Sequence, residues 1–303
     1  MQVTPDCLSC LLRQAIHTLR CSGADEQQQM AVLREVLAHL AQVEPTMDPS
    51  RVAEPMYETI VRITGKADPY AAAKKEANTL ANELLGAVRD RVTQSHDPLA
   101  KALQAAAAGC VIDAGVSHQT RIRRELKRLL EATMAINDTA LLRNFLKRGA
   151  RVLYVLDNAG EIVLDALVVD RLQRFGLSGV TVAVKSGPIV NDATLEDARA
   201  AGLPKICTVI ETGAACLGVD WSRVSAEFRD AFRTADAVIA KGHAHFETLH
   251  DDPHPGLFFL LYAKCAPVAR SLRCPVGSMV FAHAPRWRAA PPATTAARDS
   301  RQR

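Results

Sequence analysis

Apolar residues along this chain follow two periods, and the change from one to the other falls near residue 149. Before it, from Pro5 to about Arg148, the spacing is helical: Leu8, Leu11, Leu12, Ala15, Ile16 and Leu19 recur on one face of the first segment. Further helices are predicted over about 25–43, 49–63, 69–92, 98–111, 117–136 and 137–147. Pro49, Pro69 and Pro98 open three of them, where a missing amide donor costs nothing, and Gly149 suits a C-cap. The expectation is an all-helical N-terminal region, residues 1–148, arranged as a bundle.

After Arg151 short apolar runs take over, at 152–156, 180–184, 206–210, 237–240, 258–263 and 278–282, separated by predicted helices at 161–174, 194–201 and 222–234. Unbroken apolar runs belong to strands buried on both faces. Their alternation with helices predicts an α/β domain with a mostly parallel sheet over 149–283. In such sheets ligands gather outside the carboxyl ends of the strands, so the residues found there carry the chemistry. The first run ends in Asp157-Asn158-Ala159-Gly160-Glu161, and the second in Lys185 followed by Ser186 to Asp192. The others end in Glu211-Thr212-Gly213, Lys241-Gly242-His243 and Lys264-Cys265.

Asp157, Asn158 and Asp192 supply the oxygen atoms that a hard divalent cation prefers. Lys185 and Lys241 suit the neutralisation of a phosphate. Plainer roles compete: Asp157 and Asn158 are favoured N-cap types for the helix at Glu161, and a lone lysine is usually a solvated charge. Glu161 either orders a water at the metal or complements the helix dipole. Thr212, Gly213 and His245 are the remaining candidates for substrate contact, being placed at strand ends.

Composition narrows the field. The formal net charge of +4 comes from the segment after Ala284, where five arginines face one acid, so the body is balanced. Residues 284–303 read as a disordered basic tail. Sparse aromatics argue against stacking on single-stranded nucleic acid, and no membrane-spanning or signal-like run is present, so a cytoplasmic protein with neither nucleic-acid nor membrane partners is expected. Eight cysteines in a chain this long do not make a disulfide framework. Cys7-x-x-Cys10 suits a thiolate metal site, a redox pair or two small buried side chains. His243, His245, His250 and His254 lack the spacing of a zinc hydrolase, and neither dinucleotide nor P-loop glycine fingerprints occur.

Three ordered motifs, Asp157-Asn158-Ala159-Gly160-Glu161, Lys185-x-Gly-Pro-Ile-x-Asn191-Asp192-Ala-Thr-x-Glu-Asp and Lys241-Gly-x-x-x-Phe246-Glu247-Thr248, resemble those of the metal-dependent damage-control phosphatases, once called domain of unknown function 89. Cys7-x-x-Cys10-x-x-Arg13-Gln14 is similar to the start of the prokaryotic branch, and the likeness runs from Pro5 to about Val280. His245 stands where related sequences usually have Asn, and Ser186 where they have Gly. The resemblance implies a helical part on a Rossmann-like three-layer α/β/α domain, with a divalent ion (Mg, Mn, Co or Ni) at Asp157, Asn158 and Asp192. It implies hydrolysis of small phosphorylated metabolites in a house-cleaning role, with Asp157 acting as ligand or as nucleophile. Protein carboxyl methylation and noncatalytic metal binding are the competing functions; the first would normally need a glycine-rich loop, for which Ala159-Gly160 is a thin substitute.

Overall fold

The computed structural model describes residues 1–112 and 119–285. Most of the predicted basic tail, from 286 on, and the first two positions of the helix expected from Ser117 lie outside the described residues. The N-terminal part is helical as its period requires: α1 (Pro5–Ser22), α2 (Glu26–Leu40), α3 (Pro49–Thr64), α4 (Ala71–Thr93), α5 (Pro98–Ala108), α6 (Gln119–Glu131) and the short α7 (Thr139–Arg143). Caps fix several ends. Asp25 and Gln28 form a reciprocal capping box on α2, and Gly23 and Gly65 end α1 and α3 in the left-handed conformation.

Seven strands form one sheet: β1 (Ile136–Asn137), β2 (Arg151–Val155), β3 (Gly179–Val184), β4 (Thr208–Glu211), β5 (Ala237–Lys241), β6 (Leu257–Tyr262) and β7 (Met279–His283). Their spatial order is β1-β7-β6-β5-β2-β3-β4, parallel throughout except that β7 runs antiparallel to β6. Between strands lie α8 (Glu161–Leu172), α9 (Leu195–Ala200), α10 (Ala226–Thr234), α11 (Gly242–Leu249) and α12 (Ala266–Leu272). The period of two along each strand divides the core. Val152, Tyr154, Val180, Val182, Ile239 and Phe258 pack toward α4, α5 and α8 on one face. Leu153, Val155, Val238, Phe259 and Val280 pack toward α10, α11 and α12 on the other. The result is a three-layer α/β/α domain.

The helices before the sheet divide in two. α4, α5 and α6 share the sheet's own core, whereas α1, α2 and α3 have a separate core built on Leu11, Leu19, Val36, Met56 and Ile60. Ile189, from the loop after β3, enters that separate core and ties it to the sheet. Among the described residues no helix is long and apolar enough to cross a membrane. The chain runs from β2 to β3 and β4 on one side and returns to β5 on the other, so the strand order switches direction between β2 and β5. This is where a crevice opens in doubly wound sheets.

Candidate active site

Asp157 and Asn158 leave the end of β2 at that crevice, and the loop after β3 folds back across them. The amide of Ala193 donates to the Asp157 carbonyl at 2.7 Å and the amide of Ala159 to the Asn191 carbonyl at 2.9 Å, making a short antiparallel bridge between Asn158 and Asp192. Backbone pairing therefore sets the carboxylates of Asp157 and Asp192 and the amide of Asn158 together. From the other side of the switch, Gly242 closes on the same group at a φ of 80°: a Cβ there would fall 1.9 Å from Asp157 Oδ2. Glycine is required because any side chain would displace the carboxylate.

The electrostatics are those of a crowded anionic pocket. Burial, and then the charges of Asp192 and Glu161, push the Asp157 carboxyl well above the usual range, while Lys264 and Lys241 pull the other way. Asn158 lies between two carboxylates, its Nδ2 donating to Asp157 Oδ2 at 3.0 Å and to Glu161 Oε1 at 3.1 Å. Two carboxylates and an amide carbonyl are hard oxygen donors, and the repulsion within the group is what a cation would relieve; the residues fit a divalent ion. Among the described residues no three His, Cys, Asp or Glu side chains make such a set by themselves. Here the third donor is an asparagine.

These groups line a cavity of about 580 Å³, with Asp157, Asn158, Glu161, Asp192 and Lys241 on its floor. Its roof is α1 and α3, through Cys7, Ser9, Cys10, Arg13, Gln14 and Ser50; Lys264 and Cys265, after β6, complete the wall. The roof is anchored to the α/β layer by polar bonds. Ser50 Oγ donates to Glu247 Oε2 at 2.7 Å, and Arg223 Nη1 donates to Glu54 Oε2 at 2.7 Å.

Both lysines are held by protein groups, Lys241 on the cavity floor and Lys185 outside the lining. Lys241 Nζ donates to the Ala106 carbonyl at 2.8 Å and Glu161 Oε2 at 2.9 Å, and lies 3.0 Å from Asp165 Oδ1. Burial alone would lower its ammonium pKa, but Asp165 and Glu161 outweigh burial and raise it. Lys185 is 1% exposed and stands behind the floor, 3.6 Å from Asp192 Oδ2, donating to the Gly218 carbonyl at 2.6 Å. Its third neighbour is His245 Nε2 at 3.2 Å. Since His245 Nδ1 sits 2.6 Å from the Lys241 carbonyl, the ring proton belongs on Nδ1 and Nε2 accepts from Lys185. Burial and Lys185 hold this imidazole well below its ordinary pKa, hence neutral.

Lys185, His245, Thr212 and Gly213 are not among the described residues lining the cavity. Thr212 Oγ1 closes a turn on the Ala214 carbonyl, and Gly213 makes room for the backbone of Ser225, whose amide a Cβ would meet at 2.3 Å. Of the other histidines, His243 lines the cavity, whereas His250 and His254 are not among its described lining residues. His254 accepts from the Gly256 amide, and His243 Nε2 accepts from the Lys264 amide at 3.1 Å.

Tyr154 and Asp165, which no motif marks, extend the charged network inward: Tyr154 donates to Asp165 Oδ1 at 2.7 Å, and burial pushes the Asp165 carboxyl up to about 6. Asp165 does leave a signal, as the one charged residue in the run 162–169, four residues after Glu161 and so on its face. Asn78 of α4 is likewise unmarked. Its Oδ1 accepts from the Gly160 amide at 2.7 Å and its Nδ2 donates to Asp197 at 2.7 Å, bracing the turn that presents Asp157.

A family model described as the damage-control phosphatase ARMT1-like domain matches residues 3–280. The chain belongs to that family. Among relatives of this damage-control phosphatase family, a protein of Pyrococcus horikoshii named damage-control phosphatase PH1575 is 32% identical over 284 residues, spanning 92% of this chain and 97% of that one. A damage-control phosphatase of Archaeoglobus fulgidus is 34% identical over 286 residues, spanning 92% and 98%. The crystal structure of a DUF89 family protein from Pyrococcus horikoshii superposes with a TM-score of 0.84 at 31% identity, covering 93% of this chain and 99% of that one.

Proposed function

We propose that this chain is a divalent-metal-dependent phosphatase of small phosphorylated metabolites, with the ion held by Asp157, Asn158 and Asp192. The observation that carries the reading is the bridge between Asn158 and Asp192, which gathers two buried carboxylates and an amide on the floor of one cavity. Membership of the damage-control family and the names of both relatives support a house-cleaning phosphatase. When bound, the ion supplies Lewis-acid polarisation of a phosphoryl oxygen.

The protein's own groups divide the remaining work. Glu161 orients the Asn158 amide from one oxygen and is held by Lys241 from the other, which leaves it on the cavity floor to order a water. Lys241 and Lys185 act as positioning residues: the first fixes Glu161, and the second sets the back of Asp192 with His245 behind it. The exposed cations of the wall, Arg13 and Lys264, receive the phosphate from the solvent side. Asp157 serves as ligand, its Oδ2 occupied by Asn158 and pressed against Gly242.

The test is a phosphatase screen with Mg²⁺, Mn²⁺, Co²⁺ and Ni²⁺ against sugar phosphates, nucleotides and phosphopantetheine derivatives, beside Asp192→Ala. Turnover with at least one ion that chelation and Asp192→Ala both abolish is expected. Chelator-resistant turnover, or none with any ester, contradicts the proposal.

A further inference from the structure

Four of the eight cysteines open onto the same cavity: Cys7 and Cys10 from α1, Cys110 beyond α5, and Cys265 at the start of α12. None of the groups placed on the floor uses a thiol. Cys7 and Cys10 are half-buried, one helical turn apart at the start of α1, alongside Ser9, Arg13 and Gln14 on the wall. Thr4 Oγ1 lies 3.4 Å from Cys7 Sγ, and Gln14 Nε2 donates to Cys10 Sγ at 3.5 Å.

A thiolate metal centre would need further ligands beside this pair. Cys265 Sγ faces His243 Nδ1 at 4.0 Å, and among the described residues no three Cys, His, Asp or Glu side chains converge to hold an ion. A disulfide needs only the two. Residues three apart in an α-helix have Cα atoms about 5 Å apart, inside the range disulfides span, although their Cβ atoms must draw together from about 5.5 Å to about 4 Å. That contraction tightens the turn carrying Ser9 and Arg13.

We propose that Cys7 and Cys10 are an oxidisable pair whose disulfide reshapes the substrate wall of the catalytic cavity, so that hydrolysis falls when the pair is oxidised. With hydrogen peroxide as oxidant, one thiolate attacks a peroxide oxygen to give a sulfenic acid and hydroxide. The second thiol then displaces water from the sulfenic sulfur, forming the S–S bond. Two thiols lose two electrons and two protons, and the peroxide leaves as two waters. A dithiol reductant reverses the change by thiol–disulfide exchange. The activity part of this inference rests on the phosphatase reading; the disulfide itself does not.

The test oxidises the full-length chain with hydrogen peroxide, maps its cysteines by peptide mass spectrometry, and measures kcat/KM before oxidation, after it, and after dithiothreitol. A Cys7–Cys10 link is expected, with kcat/KM lowered about fivefold or more, since displacing a positioning group by about 1 Å costs up to 10²-fold. Dithiothreitol should restore the rate. In Cys7→Ser and Cys10→Ser the ratio of oxidised to reduced kcat/KM should stay near one, while Cys265→Ser keeps the wild-type response. Free thiols at both positions, a link from either to Cys265, or an undiminished response in Cys7→Ser overturns the inference. A chain that forms the link yet hydrolyses no ester supports the disulfide and counts against the phosphatase reading alone.

Discussion

Lys241 illustrates what a single buried charge does here. It neutralises Glu161 and Asp165 at once, and both carboxylates are as buried as the ammonium. Breaking such a pair leaves uncompensated charge in low dielectric, which costs about 3–5 kcal/mol. Lys241→Met should therefore lose about that much in urea denaturation at neutral pH; a loss below about 1 kcal/mol would mean that the network is not ionised as described. Glu247 gives the pH counterpart. Burial first, and then Asp48, raise its carboxyl from 4.5 to about 7. A carboxyl raised on folding favours the folded state fully below its unfolded pKa, and this contribution is lost as pH rises through the folded value. Wild-type Tm should fall more than that of Glu247→Gln between about pH 5 and pH 7.5, by an amount equivalent to at most about 3 kcal/mol. Parallel curves would refute the assignment.

The loop from Lys185 to Thr194 is the element on which the site turns. It leaves β3, sends Ile189 into the α1–α3 core and brings Asp192 to Asp157 within three residues. Val190 makes the turn at a φ of 48°, left-handed for a β-branched residue, and it lines both the cavity over Asp157 and a second cavity of about 340 Å³. Such a conformation costs on the order of 1–3 kcal/mol. Glycine adopts it freely but loses packing and unfolded-chain entropy, so Val190→Gly should change stability by less than about 1 kcal/mol. Ile189→Ala, at the anchored position, should cost about 2–4 kcal/mol; equal losses in urea melts would show that Val190 is unstrained.

Elements buried on both faces are the legible ones: the runs 152–156, 180–184 and 237–240, which lie in β2, β3 and β5, carry no charged residue to blur them. The two residues of β1 are too short to show a period. α11 starts at Gly242, directly after the last residue of β5 and without a loop, which hides it. The expected strand at 206–210 starts two residues late because a turn of 3₁₀ helix at Leu203–Lys205 takes up the approach.

At the scale of the molecule, the sheet and the roof divide the labour. Strand ends hold the oxygen cluster, while α1 and α3 face it across the cavity. The motif strings placed Asp157, Asn158 and Asp192 at strand ends, and pairing across 34 residues of sequence brings them together. The sequence could not tell which lysines face solvent. Lys185 and Lys241 follow buried strands as Lys264 does, yet they find protein acceptors, Gly218 and Ala106 among them, that only tertiary packing supplies. The division predicts that Arg13→Ala raises KM about tenfold or more, the worth of one charge-assisted bond, with divalent-ion affinity unchanged. A parallel loss of ion binding would show that roof and floor are not separable.

That Asp157, Asn158 and Asp192 form one cation site is tested, without any substrate, by calorimetric titration of Mn²⁺ into the chelator-stripped chain. One ion per chain is expected, and because loss of even an outer partner weakens metal binding 10–100-fold, Asp157→Asn and Asp192→Ala should each weaken it by about 100-fold or more. Wild-type affinity in either variant would contradict the account.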